Sequence, residues 1–240
     1  MVTRIPIEKY APERVKMSYD DYLTWARDDQ IMEWVNGEGI TYMPPVSIHQ
    51  NIVGFLYTLI NTYNQHFQSG FVFQAPFEVK LWPDGPSREP DLLFLSQQNK
   101  DRLSEKRLNG APDLVIEVIS PGSVSEDRVR KFNEYEQAGV QEYWIIDPRP
   151  HQQQGDFYRR GEDNLFESVD LDEHGVFYST VLPQFWLNVA WLWQDPLPST
   201  QLIFAEIMLT NEGLPLDLKQ AYQTLYDVLQ AQQHPNKSDG

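Results

Sequence analysis

The chain has 240 residues, 41% of them hydrophobic and 13% aromatic, with no cysteine and a formal net charge of -16. This composition builds a real core and excludes a disordered chain, a disulfide framework and thiolate metal sites. No apolar run approaches the roughly 20 residues of a membrane span, and the first residues lack the apolar stretch of a signal peptide, so a cytoplasmic protein is expected. The acidic charge is the opposite of the basic footprint usual in nucleic-acid-binding proteins.

In chain order, Ser18 followed by Asp21 marks a helix start, with Tyr22, Trp25 and Ala26 at helical spacing. In IMEWVNGEGITYM, Asn36-Gly37 between two short apolar runs predicts a hairpin. Ile52, Phe55, Leu56, Leu59, Ile60 and Tyr63 predict a helix over 48–67, preceded by Pro44 and Pro45. The period then changes to that of strands. FVFQAPFEVKLW reads as one or two strands broken at Pro76, and PDLLFL (90–95) and PDLVIEVIS (112–120) read as central strands. The charged stretch between those two reads as a surface loop with a helical turn. Ser123 to Ala138 is a predicted helix ended by Gly139, and QEYWIIDP a strand stopped by Pro148. Residues 157–178 suggest antiparallel strands. Two apolar periodic stretches, 202–209 and 218–229, suggest helices before a disordered HPNKSDG end. This order gives an α/β fold with a mixed central sheet flanked by helices and additional antiparallel strands. The expected organisation is an extension over 1–16, a domain over 17–195 and a helical extension over 196–240.

Glu117 is the unusual residue. It sits inside LVIEVIS, with apolar side chains on its own face and on the other. A lone carboxylate in such a run is costly to bury without a cation or a metal ion, unless its face is a solvent-exposed edge. Asp113 shares that face but lies about 13 Å away along the strand, too far for one ion held at about 2.1 Å. A carboxylate from a neighbouring strand is needed, and Asp91, at a strand entry, is the best offer. Lys131 is the candidate cation on the next helix, on a stripe with Asp127 and Tyr135. Spacing alone favours an ordinary Asp127–Lys131 surface pair worth about 0.3–0.5 kcal/mol. Glu78-Val79-Lys80 is an acid-x-lysine run, but its alternation is that of a half-exposed structural strand. G-x-S-x-G, P-loop and H-E-x-x-H patterns are absent. The five histidines have no ligand spacing, and His49, at a helix start, suggests capping or packing.

EWVNGE, His49 at the next helix, EPDLLFL, APDLVIEVISPGS, the D-x-x-x-K with Tyr135, AGV and EYWIIDP occur in that order over about residues 17–195. In this the chain resembles the Uma restriction-endonuclease family of the PD-(D/E)XK nuclease superfamily. The resemblance implies a restriction-endonuclease-like core with a four-stranded mixed sheet. It implies Asp91 and Glu117 as metal carboxylates, Lys131 as the catalytic lysine supplied from a helix, and Glu33 as a further ligand or water-holder. His49 matches a recurrent histidine. Ile119 occupies the position where most superfamily members carry the lysine, and a lysine placed there is expected to reach the same water as Lys131. The implied activity is Mg2+-dependent hydrolysis of DNA phosphodiester bonds, with Mn2+ able to substitute, by a homodimer. The alternatives are a non-catalytic nucleic-acid-binding or regulatory protein that keeps the fold, and a metal-dependent hydrolase of a small phosphodiester.

Overall fold

The computed structural model describes residues 12–26, 31–43 and 46–233. In chain order the first elements are β1 (Glu13–Lys16), α1 (Tyr19–Trp25), β2 (Met32–Val35), β3 (Glu38–Thr41) and α2 (Ser47–Phe67). Then come β4 (Gly70–Gln74), β5 (Glu78–Lys80), β6 (Ser87–Arg88), β7 (Leu92–Ser96), β8 (Arg107–Asn109) and β9 (Leu114–Val118). A π-helical turn, Glu126–Lys131, runs into α3 (Phe132–Ala138), followed by β10 (Glu142–Asp147), β11 (Gln154–Arg160) and β12 (Phe166–Ser168). The chain continues through β13 (Val176–Tyr178), β14 (Trp186–Asn188), α4 (Thr200–Thr210) and α5 (Leu216–Gln233). Pro44, Pro45, most of the 1–16 segment and the HPNKSDG end lie outside the described residues.

Local chemistry sets several of these boundaries. Ser18 accepts a hydrogen bond from the Asp21 amide and caps α1. Asn36 and Gly37 take φ of 51° and 82°, the left-handed pair that a two-residue hairpin needs, and so join β2 to β3. Gly139, at φ 99°, ends α3.

The main sheet has the order β12-β11-β10-β9-β7-β4, mixed because β9 and β10 run parallel while the other neighbours run antiparallel. Two adjacent parallel strands require a crossover, and here the crossover is the helical segment 126–138. One face of the sheet, with Leu92, Phe94, Leu114, Ile116, Trp144 and Ile146, packs on α2, α4 and the β13–β14 hairpin. The other face, with Leu93, Val115, Tyr143 and Ile145, packs on Tyr135 and Val140 and on Val79 and Leu108 of a second sheet. Glu117 alternates onto this second face, under the crossover helix.

The second sheet has the order β1-β3-β2-β6-β5-β8. The predicted FVFQAPFEVKLW unit is thus split: β4 joins the main sheet and β5 the second. The short strand β8 arises within the charged stretch read as a loop, β6 lies just before the PDLLFL strand, and β1 gives part of the N-terminal segment a pairing partner in β3. The sequence-predicted central mixed sheet is present, with six strands rather than four. Among the described residues no helix is long and apolar enough to cross a membrane.

Candidate active site

Asp91 enters β7, Glu117 lies in β9, Lys131 closes the π-helical turn, Glu33 lies in β2 and His49 in the first turn of α2. All five line one pocket, together with Tyr42, Glu89, Ser120, Ser123 and Asp127. The residues singled out in the sequence therefore converge, although they come from both sheets and two helical segments.

Glu117 is 3% exposed. Lys131 Nζ donates to its Oε1 at 2.9 Å, and the Tyr135 hydroxyl donates to the same oxygen at 2.9 Å. Oε2 accepts no hydrogen bond among the described residues. Burial pushes the Glu117 carboxyl well above its usual range; Lys131 opposes this, while Asp127, Asp91 and Glu33 add to it. Lys131 is 5% exposed, with Glu33 Oε1 at 3.2 Å and Asp127 Oδ1 at 3.4 Å as well as Glu117. Burial would lower its pKa, but the three carboxylates outweigh burial and hold it well above the ordinary lysine value. The expected Asp127–Lys131 surface pair is thus a buried one. The cause is tertiary: the crossover lays this stripe of the helix on the sheet face that carries Glu117.

Glu33 has both oxygens engaged. Oε1 meets Lys131 and accepts from the Glu89 amide at 3.2 Å; Oε2 accepts from Arg88 and from Tyr42, each at 2.7 Å. Burial raises its pKa, yet Lys131 and Arg88 reverse the effect and bring it down to about 2. Arg88, fully buried, also bonds Glu126 and Glu134 of the helical segment and so ties the second sheet to the crossover. Asp127 is pushed up to about 6 and Glu89 to about 8, both chiefly by burial.

Asp91 Oδ2 accepts from the Val118 amide at 2.8 Å and lies 3.1 Å from His49 Nε2. Its Oδ1 accepts no hydrogen bond among the described residues. Burial lowers the His49 pKa, and its hydrogen bond to Asp91 and the charge of that group raise it by more.

A divalent cation fits this donor set. Five acidic side chains line the pocket against one lysine and one histidine, and the carboxyls that burial pushes up would give up protons as a cation binds. Among the described residues four of the lining carboxylates, Asp91, Glu117, Glu89 and Asp127, keep an oxygen without a hydrogen bond; of these, Asp91 and Glu117 stand beside each other on adjacent strands, where Leu92 pairs with Ile116. Among the described residues no group of three or more His, Asp or Glu is arranged to hold a metal unaided.

Two other sequence candidates are placed elsewhere. Asp113 accepts from the Ser96 amide and from Asn99 Nδ2, both at 2.7 Å, and closes the turn after β7. Ile119 is 1% exposed and packs with Val115, Tyr135 and Tyr143. It is not among the pocket-lining residues, so a lysine at 119 would enter an apolar cluster rather than reach the Lys131 position. Arg88, Tyr42 and Glu89 were not singled out by sequence reasoning. The single signal available was their proximity in sequence to Asp91 and to the hairpin.

A family profile, Uma2, described as "Putative restriction endonuclease", matches residues 19–190. Among solved structures, a putative nuclease belonging to DUF820 from Anabaena variabilis ATCC 29413 is similar at a TM-score of 0.59 and 20% sequence identity, over 72% of this chain and 96% of that one. At that identity the likeness is one of fold. No curated protein matches the chain.

Proposed function

The chain belongs to the Uma2 family, described as putative restriction endonucleases, and from that premise we propose that it is a divalent-metal-dependent endonuclease that hydrolyses phosphodiester bonds of DNA. One observation carries this reading: Asp91 and Glu117, beside each other on adjacent strands, line one pocket with Lys131 fixed on Glu117 Oε1, and each keeps an oxygen without a hydrogen bond among the described residues. Asp91 and Glu117 are the residues that would hold Mg2+, with Mn2+ as a hard-cation substitute. When bound, the ion supplies Lewis acidity toward a phosphoryl oxygen and acidifies a water. Lys131 places a fixed positive charge beside the negative charge that develops on the phosphate oxygens. Glu33 and Asp127 hold that ammonium, and Tyr135 with Lys131 fixes the plane of Glu117. Glu33, with both oxygens occupied, acts through Lys131.

Residues 17–195 would form the nuclease proper, with α4 bracing α2 from outside it. Two copies related by a two-fold axis would suit the two strands of a duplex; light scattering at micromolar concentration tests this, a monomer counting against it. The charge of -16 favours a second reading, hydrolysis of a small phosphodiester, because a field of that sign slows encounter with DNA. Plasmid DNA and bis(p-nitrophenyl) phosphate, incubated with Mg2+, Mn2+ or EDTA, separate the two. We expect metal-dependent plasmid cleavage that is abolished in Asp91→Ala and in Glu117→Ala. Cleavage retained in both variants would sink the site, and activity on the small ester alone would favour the second reading.

A further inference from the structure

Asp91 and Glu117 are built alike. Each has one carboxylate oxygen held by two donors and the other oxygen without a hydrogen bond among the described residues. For Glu117 the donors are Lys131 and Tyr135. For Asp91 they are the Val118 amide and the His49 ring. The second donor in each case comes from a helical segment packed on the strand that carries the acid or its neighbour.

Among the described residues His49 has one side-chain partner, Asp91, with the Val118 backbone beside it. The N-cap of α2 is Val46, and no side chain caps that end. The ring is 5% exposed, and its Nδ1 is buried without a hydrogen-bond partner among the described residues. A residue kept for packing alone would be better apolar, since a buried polar nitrogen without a partner is destabilising. The compensating interaction is the one at Nε2. Asp91 Oδ2 already accepts from a backbone amide and offers lone pairs, so Nε2 must carry the proton and donate. With the amide alone the carboxyl could swing about its side-chain bonds; with the imidazole as a second anchor on the same oxygen, Oδ1 is the one presented.

We infer that His49 is the positioning residue for Asp91, holding Oδ2 so that Oδ1 faces the metal. This rests on the metal reading of the pocket. Partners that orient a ligand typically matter 10–100-fold in metal affinity.

The test is Mn2+ binding to the full chain, read by calorimetry and by the Mn2+ paramagnetic resonance signal, in wild type, His49→Leu and His49→Gln. Leucine keeps much of the volume and removes the donor, and we expect about 10–100-fold weaker binding. Glutamine restores an N–H donor and should recover most of the affinity. Wild-type affinity in His49→Leu, or a folded His49→Gln as weak as the leucine variant, overturns the inference while leaving the metal reading intact. A wild-type protein that binds no Mn2+ overturns both. Should His49→Leu not fold, nitrogen NMR of histidine-labelled wild type decides: a protonated Nε2 supports the inference, and a bare Nε2 with the proton on Nδ1 overturns it.

Discussion

Two acid–lysine pairs, one half-buried and one buried, occupy neighbouring sheets and have opposite surroundings. On β5, Glu78 and Lys80 lie two residues apart on one strand. Lys80, 6% exposed, donates to the Gly85 carbonyl at 2.7 Å and lies 3.5 Å over the Tyr19 ring and 4.7 Å over that of Trp34. Glu78 accepts from Tyr19 and Ser87. Beneath the crossover, Glu117 and Lys131 lie 14 residues apart and meet among three further carboxylates. Burial drives the Lys80 pKa down, with Glu78 opposing, whereas the surrounding carboxylates drive that of Lys131 up. Strand alternation can put an acid and a lysine on one face. It cannot supply the second carboxylate, and here α1 and Trp34 cover the face that the alternation made. Convergence of a strand entry, a central strand and a crossover helix is what sets two carboxylates of adjacent strands beside a cation.

The contrast is broken most forcefully at Lys131. Lys131→Ala leaves Glu33, Glu117 and Asp127 buried without their shared cation, and we expect a stability loss of about 3–5 kcal/mol in urea denaturation. In protein that remains folded, cleavage should fall by about 10²–10³, the scale of removing one charge-stabilising group. Wild-type rates would make Lys131 merely the anchor of its carboxylates.

Next is Glu33→Gln, expected to lose about 1.5–3 kcal/mol at neutral pH with its charged hydrogen bonds. Because the folded-state pKa of Glu33 is depressed to about 2, its contribution is fully present above the ordinary 4.5 and is lost as pH falls toward 2. Melting temperature against pH should therefore fall on the acid side in wild type and fall less steeply in Glu33→Gln; parallel curves would contradict the pairing.

Lys80→Met sharpens the comparison from the other side. It should lose about 2 kcal/mol or less, the scale of a desolvated cation–π contact, and leave cleavage per folded molecule unchanged. A loss of activity would move chemistry onto β5. The smallest effect is expected for Asp113→Ala, about 1 kcal/mol from the hydrogen bonds it accepts from Ser96 and Asn99, with Mn2+ affinity unaltered.

Much of this architecture was legible because the signals were local. The α2 face, the Asn36-Gly37 turn, the Gly139 stop and the strand around Glu117 each follow from a few consecutive residues. The strands β6 and β8 were not legible, being two and three residues long and defined by pairing across the sheet. The site divides in the same way. Glu117 stood out as a lone carboxylate in an apolar run. The stripe of Asp127, Lys131 and Tyr135 was visible too, but its burial was not, since that depends on where the crossover lays the helix. Arg88 and Tyr42 reach Glu33 across the second sheet, and their local sequence marks them only by nearness to Asp91 and to the hairpin.

The most direct test of the central claim is a crystal of the full chain soaked in Mn2+ and measured for anomalous scattering. The account predicts a peak within coordination distance of Asp91 and Glu117, with Lys131 still on Glu117 Oε1 and His49 on Asp91 Oδ2. A pocket free of anomalous density at millimolar Mn2+, or a peak that touches neither carboxylate, would contradict it.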